Sequence, residues 1–149
     1  MSISDTLRTA RERAKQMGVP YEGALTPSEA FEVMRENPKA KLVDVRTRAE
    51  LDWVGRVPGA VEVELLVYPG SRPNPEFVQQ LEKQVAKDAP VLFLCRSGGR
   101  SHNAAMMAMQ AGYMEAYNVL EGFEGDKDDD GHRNTTGGWR AAGLPWTQS

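Results

Sequence analysis

The chain has 149 residues, 40% hydrophobic and 26% charged, with 18 Lys and Arg against 21 Asp and Glu for a net charge of −3. That length holds one ordinary domain, able to bury roughly 70% of its extended-chain surface, and the charge balance argues against a nucleic-acid partner. The single cysteine, Cys95, excludes an intrachain disulfide framework and any cysteine-clustered zinc or iron–sulfur site.

Residues 1–18 lack the apolar run of a signal peptide, and no stretch approaches the ~20 apolar residues of a membrane span. The expectation is a soluble, cytoplasmic protein with no membrane partner. Leu7, Ala10, Ala14 and Met17 share one helical face, and Gly18 is a natural stop. The spacing predicts a helical extension over residues 1–20, packed on a domain that spans 21–149. Thr26-Pro27-Ser28-Glu29 combines a capping box with proline at the first helical position and predicts a helix to about Asn37. Residues 41–45 predict a short apolar strand, and residues 47–53 one or two helical turns ended by Gly55.

The alternation of residues 61–65 predicts a further strand, followed by a polar loop over residues 69–74. Pro75 then opens a helix with Phe77, Val78, Leu81 and Val85 on one side. Val91, Leu92, Phe93 and Leu94 are continuously apolar, as in a strand buried on both faces. Residues 101–111 predict an alanine-rich helix close against a sheet, with Met106, Met107 and Met109 as packing residues. Residues 116–120 supply the last strand candidate. Strands alternating with helices indicate an α/β fold with a mainly parallel sheet and no internal repeat. Residues 122–138 read as a long Gly- and Asp-rich loop, followed by a tail that Trp139 and Trp146 pin to the core.

The segment Cys95-Arg96-Ser97-Gly98-Gly99-Arg100-Ser101 lies between the most buried strand and the most apolar helix. Ligands of open α/β sheets bind beyond the carboxyl ends of strands, which is where this loop falls. Its two glycines let successive N–H groups turn toward an anion. The next helix adds the positive end of its dipole, and Arg96 and Arg100 add two charges. Each of these favours the thiolate form of Cys95, whereas a merely structural cysteine has no use for an anion cradle.

Cys95-Arg-Ser-Gly-Gly-Arg100 resembles the active-site loop of the rhodaneses, the thiosulfate or persulfide sulfurtransferases. Asp44-Val-Arg46, Glu50 and Gly55-Arg-Val-Pro-Gly-Ala60 resemble the family's upstream signature. The tail, with Gly131-His-Arg133, Gly138-Trp139 and Gly143-Leu-Pro-Trp146, is similar to a bacterial single-domain subgroup. The resemblance implies a single rhodanese-like domain, with a central five-stranded sheet and helices on both faces. It also implies that Cys95 cycles between thiolate and persulfide, taking sulfur from a small anionic donor, thiosulfate or a persulfide. The acceptor is then cyanide, a thiol or a sulfur-relay protein.

In that scheme the backbone N–H groups of Arg96, Ser97, Gly98, Gly99, Arg100 and Ser101 hold the anionic sulfur. Arg96 and Arg100 orient the donor, and the Ser97 hydroxyl donates to the persulfide. Neither metal nor organic cofactor is required. Arg46, His132 and Arg133 are accessory candidates, although Asp44 and Arg46 fit a buried charge pair better.

Two other function classes are weighed against this one. Cysteine phosphatases and arsenate reductases use Cys-x5-Arg, whereas here the arginine stands five places after Cys95 and the sixth place is Ser101. A regulatory or interaction module with incidental activity has no need of the intact loop. The family's usual histidine and aromatic are replaced by Arg56 and Leu51, both read as structural. His102 reads as a helix-surface residue. Asp126-Lys-Asp-Asp-Asp130-Gly131 matches the start of a calcium loop, but Gly137 stands where a bidentate Glu belongs, so the segment reads as a solvated acidic loop.

Overall fold

The computed structural model describes residues 2–148. Its sheet consists of β1 (Gly23–Leu25), β2 (Lys41–Asp44), β3 (Val61–Glu62), β6 (Val91–Leu94) and β7 (Ala116–Val119). They lie in the order β1-β7-β6-β2-β3, and every pairing is parallel. β6 is central, and all four of its residues are completely buried. Alternate side chains feed two cores, as the two-residue period of a strand requires. Val91, Phe93 and Cys95 face α4 (Phe77–Gln84) and α5 (Gly99–Gln110) through Phe77, Leu81, Ala104, Ala105 and Ala108. Leu92 and Leu94 face the opposite layer, where α1 (Ile3–Met17) and α2 (Pro27–Glu36) contribute Ala10, Ala30 and Val33 beside Trp139.

Helix ends follow the local code. Thr26 and Glu29 form the reciprocal capping box of α2, and Gly18 closes α1 in the left-handed conformation. Arg13 ties α1 to the body, donating to the Glu29 carboxylate at 2.9 Å and the Ala24 carbonyl at 2.6 Å. Met17, expected on the buried face of α1, is 48% exposed, whereas Ala10 and Ala14 of that face are buried. No described helix is long and apolar enough to cross a membrane.

Four expectations are corrected. The segment of residues 61–65 pairs as a strand only over Val61–Glu62, since beyond it Val63 and Leu65 donate to Asp44 and Val45 outside a regular ladder. The expected polar loop is partly a hairpin of β4 (Leu66–Val67) and β5 (Arg72–Pro73). The helix assigned to Pro75 begins at Phe77, and α5 begins at Gly99 rather than Ser101.

Candidate active site

Cys95 follows β6 directly, so the sheet fixes its backbone and the loop to α5 fixes its surroundings. Gly98 stands at the N-cap of α5 with φ of +114°, a conformation that glycine adopts without the penalty of a Cβ. Its N–H donates to Cys95 Sγ at 3.1 Å. The first N–H groups of α5 have no intrahelical acceptor, and the helix dipole points its positive end toward the sulfur. Cys95 is 1% exposed, which strengthens every charge effect on it.

The loop is clamped from α3 (Arg48–Trp53). Thr47 caps α3 and shares a capping box with Glu50, which places the Glu50 carboxylate at the loop. Arg100 grips both oxygens of Glu50, at 2.6 and 2.9 Å, in the fork geometry that gives arginine its rigidity. Burial works to raise the Glu50 pKa, but the Arg100 hydrogen bonds and charge, together with Thr47, bring it from 4.5 down to about 2. Glu50 is therefore ionised at neutral pH and the clamp stays closed. Arg100, expected to orient the donor, holds the loop through Glu50 and also lines the cleft above it.

A second support comes from behind. Phe123 N–H donates to the Cys95 carbonyl at 2.8 Å and Glu124 N–H to the Arg96 carbonyl at 3.0 Å. These bonds turn the loop carbonyls away from the sulfur and leave N–H groups for the site. Gly122 makes the approach feasible: a Cβ there would lie 2.5 Å from the Arg96 carbonyl carbon and oxygen. The Phe123 ring carries the Arg46 guanidinium 4.1 Å from its centroid. Arg46 itself is fully buried, grips Asp44 through Nε and Nη2, and donates to the Gly55 carbonyl at 2.8 Å. Its Nη1 is the one buried side-chain nitrogen or oxygen without a hydrogen bond among the described residues, and the Phe123 ring faces the cation instead.

A polar chain runs away from the sulfur on the α5 side. Ser101 Oγ lies 3.3 Å from Sγ and donates to Asn118 Oδ1 at 2.6 Å. Asn118 Nδ2 faces the Gly98 carbonyl and the Tyr21 hydroxyl, each at 3.4 Å. Tyr21 then meets His102 Nδ1 at 2.9 Å. His102 is thus separated from Cys95 by three side chains. The side-chain hydroxyl beside Sγ is that of Ser101.

Above the loop lies a cleft of about 500 Å³, lined by Glu50, Leu66, Tyr68, Arg96, Arg100 and Arg133 among others. Arg133 reaches it from the long loop, steadied by the Gly125 carbonyl at 2.7 Å. Among the described residues neither Arg96 nor Arg133 forms an ion pair, so both charges are available to an anion. Two accessory candidates are corrected. Arg46 is sealed in the core beneath the loop, and His132 is exposed with its N–H bound to Asp128 Oδ1, so neither lines the cleft. Asp128 is spent on the turn itself, accepting from Asp130, His132 and Thr135. Arg56 pairs with Asp52 and Glu62 and bridges its backbone to Thr147, while Leu51 is buried.

Of the groups around the sulfur, the contiguous loop was legible in sequence. Glu50, Gly122, Phe123, Asn118 and Tyr21 were not assigned to it. For Glu50, the resemblance to the upstream signature marks the residue, but neither it nor the Thr47-x-x-Glu50 capping pattern points to a partner fifty residues away.

The family model "Rhodanese-like domain" matches residues 27–129. The uncharacterised protein RC0915 of Rickettsia conorii is 35% identical over 121 residues, covering 80% of this chain and 92% of that protein. The thiosulfate sulfurtransferase GlpE of Haemophilus influenzae is 28% identical over 101 residues, 68% of this chain and 84% of that one. The crystal structure of Rv0390 from M. tuberculosis superposes with a TM-score of 0.81 at 45% identity, covering 87% of this chain and all of that one.

Proposed function

The chain belongs to the rhodanese-like domain family, and from that premise we propose that it is a cytoplasmic sulfurtransferase working through a persulfide on Cys95. The Cys95 thiolate attacks the outer sulfur of thiosulfate or of a persulfide. The new S–S bond forms as the donor's own S–S bond breaks, and sulfite or a thiolate departs with the electron pair. An acceptor, cyanide or a thiolate, then attacks the terminal sulfur and returns Cys95 as thiolate. Charge moves but no electron is lost overall, so the chain's own residues suffice.

The observation that carries the reading is the short loop around a preorganised sulfur: the Gly98 N–H lies 3.1 Å from Sγ, and Glu50 clamps the arginine five places on. A loop drawn in this far suits a single anionic sulfur atom better than a phosphoryl group. Fixed N–H groups stabilise the terminal sulfur without reorganising during the reaction. Arg96 and Arg133, in no ion pair among the described residues, meet the donor's negative charge.

Thiocyanate formation from thiosulfate and cyanide tests the reading. Wild type should turn over. Arg96→Ala should lose about 10- to 100-fold in kcat/KM, the worth of one charge-assisted hydrogen bond. Hydrolysis of an aryl phosphate, without thiocyanate formation, would overturn the proposal.

A further inference from the structure

Ser101 has one hydroxyl proton and two claimants for it. Asn118 Oδ1, at 2.6 Å, is an acceptor only. The amide orientation is set by the Gly98 carbonyl, an acceptor only, which would meet Oδ1 if the amide were turned around. The Ser101 proton therefore points at Asn118, and the 3.3 Å contact to Sγ is a hydrogen bond only if Cys95 supplies the proton. This geometry belongs to the thiol. When Cys95 gives its proton to water, two lone-pair centres face each other unless Ser101 turns its own proton from Asn118 to the sulfur. A bond to an ionised acceptor is the stronger one, but turning strips a buried carbonyl of its partner.

We propose that Ser101 and Asn118 form a hydroxyl switch that governs how readily Cys95 becomes a thiolate. Ser101 touches the reacting atom and favours the thiolate. Asn118 is a positioning residue that acts through Ser101 and opposes it. The switch also separates the stages of the reaction on which it rests, the sulfur transfer proposed above. In the persulfide, Sγ is a neutral divalent sulfur and the charge has moved to the terminal atom, so the Ser101 proton returns to Asn118. The hydroxyl thus supports charge on Sγ before attack and withdraws as that charge leaves.

The test is the pH profile of Cys95 alkylation by iodoacetamide, which reads the lone cysteine without any sulfur donor. Ser101→Ala should move the midpoint up by about one pH unit, a tenfold slower alkylation below it. Asn118→Ala should move it down by a similar amount. The double variant should stay close to Ser101→Ala alone, because the other link from Asn118 toward the sulfur, Nδ2 to the Gly98 carbonyl, is a long contact of 3.4 Å. Asn118→Asp, whose carboxylate holds the proton harder, should move the midpoint up and provides a second reading if Asn118→Ala does not fold.

The charged and titratable groups around the thiol are Tyr21 and His102 on one side, the Glu50–Arg100 and Asp44–Arg46 pairs on the other, and Arg96, Arg133 and Glu124 at the cleft above. The shifts should therefore persist in a His102→Gln background. Shifts of the same sign for Ser101→Ala and Asn118→Ala, or additive shifts in the double variant, would overturn the switch. Thiosulfate turnover of the same samples reports the sulfurtransferase reading independently.

Discussion

Gly122→Ala should cut sulfur transfer by about 100-fold while leaving the protein folded, because a misplacement of about 1 Å at a preorganised site costs that much. The added Cβ meets backbone, not a yielding side chain: the Arg96 carbonyl at 2.5 Å and the Cys95 carbonyl oxygen at 2.6 Å. Relief comes only by moving the 95–96 segment or the 122–124 segment that holds it. Either movement breaks the Phe123 and Glu124 hydrogen bonds and releases the Cys95 carbonyl. The left-handed backbone at Gly122, φ of +67°, adds about 1–2 kcal/mol of strain for any residue with a Cβ. Gly18→Ala is the matched control, since Gly18 has φ of +72° and nothing within 4 Å of its Cβ position. It should share the loss of stability and keep full turnover. Equal turnover in both variants would show that the 122–124 segment does not shape the site.

Arg46→Met should destabilise the fold by about 3–5 kcal/mol, the usual cost of removing one partner of a buried ion pair. Both side chains are completely shielded from water, and Asp44 would lose its salt bridge in the core. Arg46 also anchors the Gly55 carbonyl and stacks on Phe123, so its loss loosens the turn after α3 and the support of the Cys95 loop together. At about 2–4 °C per kcal/mol for a chain of this size, the melting temperature should fall by about 6–20 °C. Adding Asp44→Leu should recover much of the loss, because an apolar pair needs no desolvation. A fall of 1–2 °C would mean that Asp44 finds another partner.

The parts of this molecule that are legible in sequence are those whose cause is local. Four consecutive apolar residues at 91–94 require a strand covered on both faces, and β6 is that strand. Thr26 through Glu29 carries the whole chemistry of a helix start, and α2 begins there. The Cys95 loop is contiguous, so its glycines and arginines are visible together.

What is hidden depends on chain brought from afar. Gly23–Leu25 has no strand pattern of its own, and pairing with β7 at the sheet edge makes it β1. The same distance hides the site's second layer. Glu50 becomes a clamp only when α3 meets Arg100, and Asn118 becomes a partner of Ser101 only when β7 lies beside β6. Arg100 shows the same: a cation beside the cysteine in sequence is also paired with a carboxylate in space.

The Cys95 persulfide is the centre of this account, and intact-mass spectrometry after incubation with thiosulfate tests it directly. Wild type should gain one sulfur atom, about 32 Da, and lose it again on addition of cyanide, while Cys95→Ala gains nothing. With no second cysteine in the chain, the added sulfur cannot be lost to an intrachain disulfide before it is weighed. An unchanged wild-type mass with thiosulfate and with an organic persulfide, or the same gain in Cys95→Ala, would contradict the account.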